Sequence, residues 1–282
     1  MDVNDFIAGC TDIKKIAQGG QKEVFKGNHP DFGSIVIKRI QVGDSSLKIE
    51  RLKREVRAVQ LLRSISVPPI FFSNCDEKFL NEFFIIEKYI PGLTLRTMLD
   101  NSKIWSVAEV VSFIKQMLII LIETEKLNII HRDIKPENII FDSNGMYWLL
   151  DFGISRHLDL DTITADTPFG GPCTLGYAAS EQFRNLKREI DSRTDLFSLG
   201  VVAYELLTGR NEYVLGVQSP LEILHKIESA PLPLLDIKGD SQFLLASFIH
   251  ILGNNMRNRR PKNAAFALQM LEVIKPTLKL EN

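Results

Sequence analysis

The 282-residue chain is 45% hydrophobic and 24% charged, with a formal net charge of −1 and a pI near 6.5. This balance excludes disorder, collagen and coiled coil, and leaves no general field that would draw the chain to nucleic acid or anionic lipid. Three cysteines, Cys10, Cys75 and Cys173, have neither metal-ligand spacing nor a disulfide pattern, so they are read as free thiols in a reducing cytoplasm.

The first ten residues carry acids and no basic n-region, unlike a secretory signal. The apolar run Met117 to Ile122 is far short of the roughly 20 residues a membrane span needs. A soluble, cytoplasmic protein with no membrane span is expected, and no internal repeat or low-complexity tract is present.

From Ile13 to Ile40 the pattern predicts three strands joined by turns, the first turn being Gln18-Gly19-Gly20-Gln21. Lys38 ends the apolar run Ile35-Val36-Ile37. Between Ser45 and Leu62, Leu47, Leu52, Val56, Val59 and Leu62 recur at helical spacing, with Glu55 in the middle of an amphipathic helix. Val67-Pro68-Pro69 ends that helix and feeds two further strands, Ile70 to Ser73 and Glu82 to Tyr89.

Ser106 and Glu109 form a capping box that opens a buried helix bearing Val107, Val110, Val111, Ile114, Leu118, Leu121 and Ile122. Downstream, Ile129-Ile130 and Ile139-Ile140 read as short buried strands flanking a polar loop with Asp133, Lys135 and Asn138. Asp142-Ser143-Asn144-Gly145 then signals a tight hairpin to a strand from Met146 to Leu150, after which comes Asp151. Such a ribbon carries Asn138 and Asp151 to the same end. A carboxylate and an amide oxygen there suit Mg2+, which takes oxygen ligands at about 2.0–2.1 Å and keeps some waters. Asp133 is left to accept a proton, an arrangement suited to phosphoryl transfer.

The run HRDIKPEN followed by DFG resembles the catalytic and metal loops of the eukaryotic-like protein kinases, and Lys135 followed by Pro136-Glu137-Asn138 resembles their serine/threonine branch. The resemblance implies an α+β, bilobal fold, with a small antiparallel-sheet lobe over residues 1–90 and a mostly helical lobe over 91–282. It implies transfer of the γ-phosphate of ATP, with Mg2+, to serine or threonine hydroxyls of a protein substrate. Asp133 would be the catalytic base, Lys135 a cation on the transferred phosphate, and Asn138 and Asp151 the metal ligands. Lys38 would bind phosphates and pair with Glu55, with Glu50 the fallback. Gly19, Gly20, Val24, Val36, Lys88 and Ile140 would contribute to nucleotide binding.

Some positions depart from the family pattern. Ala17 and Lys22 stand where the glycine-rich loop has glycines, and Lys22 is an added cation there. Val36 replaces a smaller alanine and tightens the adenine slot. Counting back from Pro91-Gly92 puts Glu87 at the gatekeeper position and Lys88 first in the hinge, whereas a one-residue insertion makes Ile86 the gatekeeper. Ser180 replaces the proline of the motif that closes the activation segment.

Between Asp151 and Glu181 no periodicity is evident, as in a functional loop. Arg132 and Arg156 are expected to face a phosphate on Thr162, Thr164 or Thr167, added by autophosphorylation within a transient homodimer. Alternatively Asp159, Asp161 or Asp166 supplies that charge. By the same resemblance Thr174 falls at the position that lies beside the base and Lys135, and Glu137 either favours basic residues in the substrate or is a solvated acid. Ser192-Arg193-Thr194-Asp195 opens a helix expected from Asp195 to Leu207 and closed by Gly209; the resemblance implies that Asp195 anchors the catalytic loop and that Arg260 pairs with Glu181. Helices are also expected around Pro220 to Ser229, Asp240 to Leu252 and Ala264 to Ile274. The alternative function is a pseudokinase-like scaffold that binds nucleotide without turnover. A small-molecule phosphotransferase is disfavoured by the run Thr174 to Glu181. The compact form and the phrasing Gly176 to Gln182 are more similar to bacterial or phage kinases than to a large receptor.

Overall fold

The structure is a computed structural model that describes residues 3–19, 22–41, 46–62, 66–74, 82–152, 176–217 and 219–279, with backbone alone at 46–48, 51, 54 and 55. Thr162, Thr164, Thr167, Thr174, Arg156 and Gly20 fall outside these residues.

Five strands form one antiparallel sheet: β1 (Thr11–Gln18), β2 (Lys22–His29), β3 (Gly33–Gln41), β4 (Ile70–Ser73) and β5 (Glu82–Lys88), in the order β1-β2-β3-β5-β4. Side chains alternate between faces along a strand, so the β-branched run of β3 divides its residues. Ile35 and Ile37 point to one face with Ile86, where they bury Phe6 of the short helix α1 (Val3–Ala8). Nothing in the sequence announced α1, because six residues are too few for a helical period to register. Ile40, Ile85 and Phe83 lie on the opposite face, against Leu52 and Val56 of α2 (Ser46–Leu61). That second face also carries Val36 and Lys38, and it overlooks the rest of the chain.

After the sheet come β6 (Leu93–Thr94), α3 (Leu95–Asp100) and α4 (Val107–Lys126). The Ser106–Glu109 capping box is present: the Ser106 hydroxyl accepts from the Glu109 N–H at 3.2 Å, and the Glu109 carboxylate accepts from the Ser106 N–H at 2.8 Å. Two strands, β7 (Ile139–Phe141) and β8 (Tyr147–Leu149), form the expected hairpin, and β6 pairs with β7. Gly145 sits at φ 77° in its turn. The apolar pair Ile129-Ile130 is not a strand, contrary to expectation. The Ile129 N–H bonds back to the Thr124 carbonyl at the end of α4, and the N–H groups of His131 and Arg132 go to the Asp195 side chain rather than to a neighbouring strand.

The remaining helices are α5 (Ser180–Phe183), α6 (Ser192–Thr208), α7 (Pro220–Ser229), α8 (Leu244–Leu252) and α9 (Ala264–Ile274). α6 is apolar around most of its circumference and buried from Thr194 to Leu206, as befits a central helix. It begins earlier than expected because Asp191 caps it, and it ends on Gly209 at φ 72°. α8 begins at Leu244 rather than Asp240, since the Asp240 carboxylate accepts from the Leu244 and Ala246 N–H groups and serves as its cap.

Two buried ionic groups hold this helical part to the catalytic loop. Arg260 and Glu181 pair at 2.5 Å and 3.2 Å, and Arg260 also donates to the Asn254, Asn255 and Arg193 carbonyls. Asp195, buried near the start of α6, accepts from the backbone N–H groups of His131 at 2.7 Å and Arg132 at 2.8 Å. Burial outweighs those two donors and pushes its pKa up to about 6.

Arg260→Met leaves Glu181 buried without its counter-ion and should cost about 3–5 kcal/mol of stability in denaturant titration. The double change with Glu181→Gln should recover part of that loss. For Asp195, an acid whose pKa rises on folding binds its proton more tightly in the native state, so stability falls as pH climbs from about 4 to about 6. Asp195→Asn lacks this slope. Its stability relative to the parent should therefore rise between about pH 4 and pH 7 in urea denaturation, and a difference independent of pH would contradict the burial of that charge.

Candidate active site

The catalytic loop runs from His131 to Asn138 and is fixed at both ends by backbone bonds. Asp195 holds its first two N–H groups, while the Leu150 N–H donates to the Asn138 carbonyl at 2.8 Å. Arg132 lies at φ 65°, a left-handed conformation that an arginine takes only when its surroundings impose it. The Gln182 side chain, on α5, adds a bond to the Arg132 carbonyl at 2.6 Å. With the chain bent this way, Asp133, Lys135 and Asn138 converge. The Asn138 amide nitrogen donates to both the carbonyl and the carboxylate of Asp133 at 2.8 Å, and Lys135 Nζ lies 3.0 Å from the same carboxylate.

Asp151 follows β8 at φ 54°, a second non-glycine residue in the left-handed region. Its Oδ1 is 2.7 Å from Lys38 Nζ and 2.9 Å from Lys22 Nζ. Both lysines descend from the sheet, so Asp151 is where the sheet meets the hairpin. Burial works against the Asp151 charge, but the two lysines outweigh it and hold the carboxyl well below the usual range. For Lys38 burial is likewise outweighed, by Asp151 and then Glu87, and its cation is favoured.

Glu87 was not expected to touch Lys38. The β3–β5 ladder places it directly opposite Val36, on the face that carries Lys38, while Ile86 packs on the other face with Phe6. Glu87 Oε1 is 2.5 Å from Lys38 Nζ, and only 8% of the residue is exposed. Its pKa is raised by burial, which Lys38 offsets only in part. The ladder register therefore turns Glu87, not Ile86, toward the cleft. Glu55 lies on α2, but its side chain is outside the described residues.

Of the remaining expected nucleotide contacts, two share the Lys38 face of the sheet and one lies on the hairpin. Val24 is the ladder partner of Lys38, and Val36 sits two residues along the same face. Below, Ile140 is half-buried on the side of β7 opposite the fully buried Ile139. Gly92, at φ 155°, passes so close to β7 that a Cβ would collide with the Phe141 carbonyl and the Ile140 side chain. Gly19 donates its N–H to the Lys22 carbonyl at 2.7 Å, closing the first turn. The Lys88 side chain is exposed and its N–H is bonded to the Pro69 carbonyl, so neither is directed at the cleft.

The donor set fits Mg2+. Because the Asn138 amide nitrogen is committed to Asp133, its oxygen faces away from that carboxylate, and Asp151 adds a second hard oxygen donor across the joined ends of β7 and β8. Glu137, by contrast, is no free acid. Arg96 on α3 donates to it at 2.9 Å, and also to the Tyr177 hydroxyl at 2.6 Å, while the Tyr177 hydroxyl donates to the buried Glu205.

Comparison with known proteins agrees with this geometry. The family profile described as the protein kinase domain matches residues 10–245. Among curated relatives, the chain is 27% identical to a probable serine/threonine-protein kinase PknB of Lactococcus lactis, covering 78% of this chain and 34% of the relative. It is 30% identical to the serine/threonine-protein kinase PknL of Mycobacterium tuberculosis, covering 78% of this chain and 53% of the relative. It is 32% identical to a cysteine-rich receptor-like protein kinase 38 of Arabidopsis thaliana, covering 70% and 30% respectively. The chain thus spans between about a third and a half of the length of these relatives. With the profile running from the first strand of the sheet into α8, and with the catalytic loop, Asp151 and Lys38 assembled in one cleft, the chain belongs to the protein kinase domain family.

Proposed function

We propose that the chain transfers the γ-phosphoryl group of ATP to serine or threonine hydroxyls of a protein substrate, with the nucleotide bound between the sheet and the β7–β8 hairpin. The division falls at the hinge, residues 1–90 covering the nucleotide and 91–282 carrying the catalytic loop. The observation that carries this reading is the separation of two carboxylates by environment. Asp151 is gripped by lysines of the sheet, whereas Asp133 bonds to Asn138 and Lys135 of its own loop. One is thereby kept ionised for a cation, and the other is left to meet a hydroxyl.

Mg2+, when bound, neutralises phosphate oxygens, and Asn138 and Asp151 are the residues that would hold it. Val24 and Val36 cover the base from above and Ile140 supports it from below, while Lys38 and Lys22 present cations to the phosphates. Asp133 orients the substrate hydroxyl and accepts its proton as the bond from that oxygen to the γ-phosphorus forms and the bond from the γ-phosphorus to the bridging oxygen breaks, with ADP leaving. Lys135, 3.0 Å from Asp133, supplies positive charge beside the transferred group. No covalent intermediate with the protein is needed, since positioning and charge neutralisation carry this class of reaction. Because Arg96 already neutralises Glu137, we read that acid as a structural partner rather than a selector of basic substrates.

The test is ATP-dependent labelling of the purified chain and of a generic protein substrate, compared between the parent and Asp133→Asn. Transfer should fall by about 10²–10⁴-fold in the variant with nucleotide binding retained. Turnover near that of the parent would remove Asp133 from the role of base. A parent that binds nucleotide but labels nothing would favour a scaffold instead.

A further inference from the structure

Lys38 is the sheet's principal cation in the cleft, and the direction of its ammonium group decides whether it meets a phosphate. An ammonium has three N–H donors and no preferred geometry of its own, so neighbouring anions must aim it. Two of those donors face carboxylates here, Asp151 Oδ1 at 2.7 Å and Glu87 Oε1 at 2.5 Å. These two partners differ in kind. Asp151 stands across the cleft on another part of the chain, and the oxygen that meets Lys38 also meets Lys22. It is the group a bound cation would claim.

Glu87 belongs to β5, the strand that pairs along the whole of β3 from Ile35 to Gln41. Its position relative to Lys38 is fixed by that ladder: Val36 faces Glu87, Lys38 faces Ile85, and the ion pair runs diagonally between adjacent rows. Both partners are almost fully buried, which raises the energetic consequence of separating them.

We propose that Glu87 is the residue that positions Lys38 toward the phosphates of the nucleotide. The proposal rests on the nucleotide-binding part of the function above. When a cation occupies Asp151, Glu87 keeps one donor of Lys38 and the others turn to phosphate oxygens.

The experiment uses the full chain, with Glu87→Gln, Glu87→Met, Lys38→Met and the double variant Lys38→Met with Glu87→Gln. Calorimetric titration with MgADP and with adenosine, which has no phosphate, is paired with kcat and KM for ATP, and thermal unfolding confirms that each variant folds. Glu87→Met provides a buried side chain without an amide should the Gln variant fold poorly. For Glu87→Gln, MgADP binding and kcat/KM should weaken by at least about tenfold, the cost expected for removing one partner of a buried charge pair, while adenosine binding stays unchanged. The double variant should be no worse than Lys38→Met alone. The proposal is overturned if Glu87→Gln binds MgADP as the parent does, or if its loss extends equally to adenosine. A parent that binds MgADP and transfers nothing would sink the catalytic function alone, because the binding comparison still reports on Glu87.

Discussion

Everything in the cleft depends on Asp151 being an anion faced by lysines from the sheet. Two strands, β2 and β3, each lower one cation onto a single carboxylate oxygen that enters from the end of the β7–β8 hairpin. That meeting ties the sheet to the hairpin that follows the catalytic loop.

The polar groups behind the site are buried and nearly all paired, which is how Arg132 and Asp151 are held in the left-handed region. Asp195 spends a buried carboxylate on two backbone N–H groups of the loop, and Arg260 with Glu181 fixes α5, from which Gln182 reaches the Arg132 carbonyl. Arg96 links α3 to Glu137 beside the catalytic loop and to Tyr177 on the far side. Buried ion pairs contribute little net stability because desolvation offsets attraction, but losing one member is costly. Here they specify geometry at the site.

Features with local causes were legible in the sequence. The Asn144-Gly145 turn fixed the hairpin, the Ser106 capping box fixed the start of α4, and Gly209 fixed the end of α6. The convergence of Asp133, Lys135 and Asn138 was readable because six residues of loop hold all three. What the sequence left open depends on pairing register. A slip of one residue in β5 turns either Ile86 or Glu87 toward the cleft, and only the ladder to β3 decides. The contacts of Lys22 and Glu87 join segments far apart in the chain, and no local pattern encodes them. Ile129-Ile130 misled because an apolar pair carries no information about whether a neighbouring strand exists to receive its backbone.

The most direct test of the cleft is the Mg2+ dependence of nucleotide affinity, measured by calorimetry with a non-hydrolysable ATP analogue for the parent and Asp151→Asn. Mg2+ is expected to strengthen binding to the parent and to leave Asp151→Asn nearly unaffected. An equal gain from Mg2+ in both proteins would contradict the assignment of Asp151 as the oxygen that holds the metal.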